Sequence, residues 1–195
     1  MPRVSEVEKQ RSHNRILDAA ARLFRENGIE PTSVADVMKA AGMTHGGFYR
    51  HFGSKEDLVA AAFRHAVDDV VSDMEKAASS DERARERIDY IAKYLSKAHI
   101  EGRGQGCPLA AMATELVRTD GAPRQEGAAA STRMASLLQT QPGNDQGQGL
   151  AAMALMLGAI TLARLVDAEE DADRVLEAGR IGVEVLQDYW PKDRQ

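Results

Sequence analysis

The densest set of groups able to grip nucleic acid lies between Ser33 and Lys55. Thr44 and the free N–H groups beside it, at the start of a short helix, can hold a phosphate. His45 projects from the first turn of that helix, where base edges would lie. Tyr49 and Arg50 reach phosphates or base edges, and Lys55 and Ser33, at the starts of the following and preceding helices, add phosphate contacts. Gly46 and Gly47 each cost roughly 1 kcal/mol relative to alanine in a helix interior. Two glycines at such positions make sense where a backbone must approach another surface closely.

These groups need two short helices joined by a tight turn, and the spacing predicts them. Ser33 and Asp36 form a capping-box start, with Asp in place of the usual Glu. Val37, Met38 and Ala41 share one face of the helix that follows, and Gly42 ends it. Thr44 is placed to cap a third short helix whose Phe48 and Phe52 face inward. The stretch Ala41–Thr44 is then the turn of a helix-turn-helix, whose second helix enters the major groove. Ahead of it, Ile16, Ala20, Leu23 and Phe24 make the apolar stripe of a helix over residues 5–27, stopped by Asn27-Gly28 and Pro31. After it, Ser54 and Asp57 open a fourth helix reaching about Ala78. The basic residues Lys9, Arg11, Arg15, Arg22 and Arg25 read equally as a DNA-touching arm or as a solvated face.

Composition sets the frame. The 195 residues suffice for one substantial core or two small domains. The net charge is −5, yet up to His65 there are ten Lys+Arg against eight Asp+Glu, and beyond it fifteen against twenty-two. Four of the five histidines also lie in the first segment. A mildly cationic head on an acidic body suits a protein whose head alone meets phosphates. The lone Cys107 excludes an internal disulfide and fits a reducing, cytoplasmic setting. The N-terminus lacks a signal-peptide core, and the longest mostly apolar stretch, Leu150–Ala163, is short for a membrane span. No nucleotide-binding loop, nucleophile elbow or zinc-protease motif is present, so an enzyme is not expected.

The fold expected is all-α, with about nine helices. A three-helix head over residues 1–53 precedes a larger helical domain over 54–195. Further helices are predicted near Asp81–Ile100, Pro108–Thr119, Pro123–Thr140, Leu150–Val166 and Asp171–Tyr189. Gly102–Gly106 and Gln141–Gly149 read as flexible connections. The helix from Leu150 is apolar nearly all round and so needs cover on several sides. The last helix carries Val175, Gly179, Gly182 and Leu186 at helical spacing. Two such helices from each of two chains predict a four-helix dimer interface, against the alternative of a fully intramolecular core.

Tyr94, His99, Met112, Leu116, Met134, Leu138, Met153 and Met156 are candidates to line a ligand pocket among the middle helices, or else ordinary core. Cys107 sits just before Pro108, at a helix start whose dipole would favour a thiolate. It reads as an electrophile or oxidant sensor, or as a small buried capping residue. His45, His51 and His65 lack the cysteine or carboxylate that would complete a metal set, and neither metal nor cofactor is expected.

The stretch Ala40–Leu58, with Tyr49, Phe52 and Lys55 as its most specific part, resembles the signature of the TetR/AcrR family. Ile16–Ala20, Leu23-Phe24 and Gly28 match the family's first helix, so the likeness covers about the first third of the chain. The resemblance implies phosphate anchors at Ser33, Thr44, Tyr49 and Lys55, and base contacts at His45, Gly46 and Arg50. Gly47 departs from the family, many of whose members carry Thr, Ser or Ala there, which leaves more of the readout to His45 and Arg50. The family dimerises through its last two long helices. The reading is therefore a homodimeric repressor, released from a palindromic operator by a small-molecule effector. The alternatives are a redox-sensing regulator acting through Cys107, an activator, and a helical protein-interaction module.

Overall fold

A computed structural model describes residues 6–140 and 146–191. Within them the chain forms nine α helices, two short 3-10 segments and no strand. The head begins with α1 (Glu6–Asn27), which buries Ile16, Leu17, Ala20 and Phe24. Gly28, at φ 91°, closes it with a hydrogen bond to the Phe24 carbonyl. α2 (Val34–Ala40) starts with the expected box: Ser33 Oγ accepts from the Asp36 N–H, while Asp36 accepts from the Ser33 N–H. Its end is a Schellman motif, in which Gly42 at φ 70° and Met43 donate to the carbonyls of Lys39 and Met38.

The next segment differs from expectation. His45–Arg50 is a 3-10 helix, and Thr44 makes no side-chain cap. Six residues containing two adjacent glycines cannot sustain the α-helical nucleus, and the tighter turn wins. Phe48 and Phe52 still point into the head, buried, with ring centroids 5.8 Å apart.

α3 (Lys55–Lys76), capped by Ser54, runs from the head into the body and packs on both α1 and α7. The predicted helix over Asp81–Ile100 is in fact two. α4 (Ser80–Tyr94) stops at Leu95, and Ser96 caps the short α5 (Lys97–Glu101). The break is held from other elements, because Arg180 donates to the Leu95 carbonyl and Arg164 to the His99 carbonyl.

Gly102–Gly106 is no flexible link. It contains a 3-10 turn, Arg103–Gln105, whose buried Gly104 lies under the Glu26 side chain of α1. α6 (Pro108–Leu116) and α7 (Ala122–Leu138) lead to α8 (Gly147–Ala163) and α9 (Glu169–Tyr189). The expected connection over 141–149 lies partly outside the described residues, while Gly147 and Gly149 belong to α8. Gly149 presses on α7 so closely that a Cβ there would overlap the Ala135 carbonyl.

α8 and α9 pack on each other, and the α9 glycines serve that contact. A Cβ at Gly179 would meet Ala159, and one at Gly182 would meet Leu155. The close approach that these glycines permit is therefore between α8 and α9 of one chain. Their lack of side chains is used inside one protomer.

Candidate nucleic-acid interface and effector cavity

Most of the head's candidate polar groups are exposed. Thr44, His45, Gly46, Tyr49 and Arg50 are exposed, with Tyr49 at 72 %. Ser33 is exposed too, but its hydroxyl is engaged with Asp36 at 2.5 Å. Lys55 is half-buried, and its Nζ donates to the Glu30 carbonyl at 3.3 Å, tying the start of α3 to the loop before α2.

Gly46 and Gly47 are the informative pair. Neither has positive φ. A Cβ at Gly46 would meet nothing within 4 Å, and one at Gly47 would make only ordinary contact with Met38 and Met43, at 3.5 and 3.7 Å. The fold itself does not demand glycine at either position. Behind this surface, His13 stacks on Phe52 with ring centroids 4.9 Å apart, and His51 lies 5.7 Å from His13. His65 bonds Asp18 at 2.7 Å. Among the described residues no three His, Cys or carboxylate groups gather as a metal set.

The body holds a cavity of about 340 Å³ between α3, α4, α5 and the 102–107 loop. It brings together Tyr94, His99 and Cys107 of the predicted pocket and adds Val70, Tyr90 and Lys93. Met112, Leu116, Met134, Leu138, Met153 and Met156 lie elsewhere, at most 8 % exposed in the core. They do not line this cavity and instead belong to the buried core. Tyr90 lies four residues before Tyr94 and so shares its face of α4, a spacing legible in the sequence.

His99 organises the cavity wall. Its Nδ1–H donates to the Tyr94 carbonyl at 2.7 Å, and its Nε2 accepts the Cys107 N–H at 3.0 Å. This arrangement fixes a neutral ring, and burial pushes its pKa down. The Cys107 thiol is pushed up by burial, and the N–H groups of Ala110 and Leu109 only partly oppose that. Of the two readings of Cys107, this favours the small buried residue over the thiolate: desolvation outweighs the helix dipole. Burial likewise holds the Tyr90 and Tyr94 phenols well up.

A pH prediction follows from the histidines. His13, His51 and His99 all have lowered pKa values, chiefly through burial. The unfolded chain therefore takes up protons near pH 6.5, where the folded chain resists them. Stability is fully present above that value and is lost as pH falls through the lower folded values. Urea unfolding between pH 8 and 5 is expected to show this loss, and His99→Gln to shrink it. A flat profile in the parent protein would contradict the assignment.

The cavity is joined to the head. Arg25 of α1 donates to the Gly106 carbonyl at 3.0 Å. At the other end of α6, the Glu115 carboxylate accepts the N–H groups of Ile29 and Glu30 at 2.9–3.0 Å. One short helix thus carries the cavity's Cys107 at its start and a clasp on the head at its end.

Comparison with known proteins agrees with this layout. Residues 16–62 match the family described as "Bacterial regulatory proteins, tetR family". The HTH-type transcriptional regulator AcrR of Shigella flexneri is 45 % identical over 58 residues, 30 % of this chain and 27 % of that one. The HTH-type transcriptional repressor KstR2 of Rhodococcus jostii is 46 % identical over 55 residues, 28 % of this chain and 27 % of that one. The chain thus spans about a quarter of the length of these relatives. Over the whole fold, a TetR transcriptional regulator from Chloroflexus aurantiacus superposes with TM-score 0.71 at 26 % identity, covering 91 % of this chain and 94 % of that one. The reduced form of E. coli NemR superposes at 0.73, with 18 % identity over 90 % and 97 % of the two chains. The signature in the head matches the TetR family over residues 16–62, and the helical architecture throughout is that of a solved TetR transcriptional regulator, so the chain is similar to the TetR/AcrR family in the sequence of its head and in its whole fold.

Proposed function

We propose that the protein is a cytoplasmic, homodimeric DNA-binding repressor, whose head reads a palindromic operator and whose body binds a small molecule that releases it. The observation that carries this reading is the pair Gly46-Gly47. The fold leaves room for a Cβ at both positions, so the choice of glycine answers to something outside the chain. They are flanked by His45, Tyr49 and Arg50, all exposed on the same short segment. A phosphodiester backbone with base edges beside it suits that combination of bare backbone, hydroxyl and cation.

Release follows from the connections between body and head. An effector in the cavity bears on the 102–107 loop and on Cys107 at the start of α6. The Gly106–Arg25 and Glu115–Ile29 bonds carry any shift of these elements to α1 and to the loop before α2. In a dimer that shift changes the separation of two recognition segments, which fit B-DNA only at about 34–36 Å. The effector acts by differential affinity for the released and DNA-bound arrangements.

The test is Gly46→Ala. Thermal stability of the free protein is expected to stay level or rise slightly, since alanine is favoured in helical backbone and meets no neighbour there. DNA affinity is expected to fall at least tenfold by fluorescence anisotropy. Unchanged DNA affinity would remove the main support for this reading.

A further inference from the structure

The cavity beside α4 carries polar groups that the protein itself leaves unanswered. The hydroxyls of Tyr90 and Tyr94 are buried and have no hydrogen-bond partner. Both face the Cys107 thiol, a weak acceptor, without the geometry of a regular hydrogen bond. Two of the other polar side chains are already committed: both ring nitrogens of His99 are engaged, and Ser96 Oγ donates to the Lys93 carbonyl, while Lys93 and Gln105 also line the cavity. Both tyrosines line the cavity, and their hydroxyls have no acceptor better than the Cys107 sulfur.

The charge around the cavity has one sign. Lys93 lines it, no aspartate or glutamate does, and Arg164 lies close enough to Tyr94 and Cys107 to act on both. Arg164 Nε is itself buried without a partner. Cys107 stays a neutral thiol, so it adds no negative charge. The volume of about 340 Å³ holds roughly ten waters' worth of ligand, at about 30 Å³ each. Val70, Ala98 and the tyrosine rings supply apolar wall for part of that volume.

We propose that this cavity takes a small organic carboxylate, whose oxygens accept from the Tyr90 and Tyr94 hydroxyls while its apolar portion lies against Val70. A carboxylate has the acceptors the two phenols lack, carries the charge opposite to Lys93 and Arg164, and brings no donor that would compete. A charge-assisted bond to a buried donor is also stronger than one to a neutral oxygen. The proposal rests on the effector-binding reading above for its biological meaning, but not for its binding chemistry.

The test is calorimetric titration of the full chain, free of DNA, with benzoate and hexanoate against benzyl alcohol and hexanol as their uncharged counterparts. At least one acid is expected to bind tenfold or more tightly than its alcohol. The double variant Tyr90→Phe/Tyr94→Phe is expected to lose at least tenfold in acid affinity and to unfold at an equal or higher temperature, because it removes two unpaired buried hydroxyls. Acids binding no better than their alcohols, or binding equally to the double variant, would overturn the proposal. A DNA titration separates the two claims. Acid binding that leaves DNA affinity unchanged supports the carboxylate site and counts against ligand-controlled release. DNA release by the alcohols alone counts against the carboxylate site and leaves release intact.

Discussion

Leu162→Asp combined with Ile181→Asp is expected to leave a monomer with DNA affinity about 100-fold lower or worse, at unchanged helix content. Leu162 is 56 % exposed and Ile181 53 %, with Leu165, Val185 and Tyr189 also exposed, at 73, 50 and 80 %. All five sit on α8, α9 or just past the end of α8. The inward faces of the two helices are already satisfied, with Ala159 against Gly179 and Leu155 against Gly182. What remains is an apolar surface with no intramolecular cover, the mark of a protein contact. A two-fold arrangement would pair it with itself. Joining two heads then makes the second DNA contact intramolecular, which is worth about 10²–10⁴ in affinity. Sedimentation and anisotropy on the same samples check both effects. A variant that remains dimeric would place the interface elsewhere.

Glu115→Ala is expected to cost about 2 kcal/mol of unfolding free energy and to separate ligand binding from DNA release. The carboxylate accepts the Ile29 and Glu30 N–H groups just past the end of α1. Its removal leaves those donors without their partner and frees the head from α6. The variant is expected to bind effector at the cavity normally while its DNA affinity responds several-fold less. Full release by effector in Glu115→Ala would show that the signal travels by Arg25 or α3 instead.

Much of this arrangement was legible in the sequence, and the exceptions have physical causes. Ser33 with Asp36, Ser54 with Asp57, and Gly28 and Gly42 are local devices, and local spacing identifies them. The outward apolar face of α8 was readable because a helix apolar all round needs more cover than one neighbour gives. The break at Leu95 was not readable, since it depends on Arg164 and Arg180, distant in sequence, taking the carbonyls that the helix end exposes. The cavity depends on that break, which turns His99 back onto Cys107. The two readings of Cys107 stay open in the sequence for a related reason. Its place at a helix start is local, but the burial that decides its protonation comes from tertiary packing. The Gly179 and Gly182 spacing was visible, whereas the partner it serves, α8 of the same chain, was not.

Selection of bound sequences from random duplex DNA, followed by anisotropy across a salt series with excess competitor, tests the central claim most directly. The expected result is an enriched palindrome, bound by an even number of protomers. Its affinity should fall steeply with salt as phosphate contacts release counterions, and Arg50→Ala should weaken it while relaxing its sequence preference. Failure to enrich any sequence, or binding that random competitor abolishes, would contradict the reading of the head as a specific DNA reader.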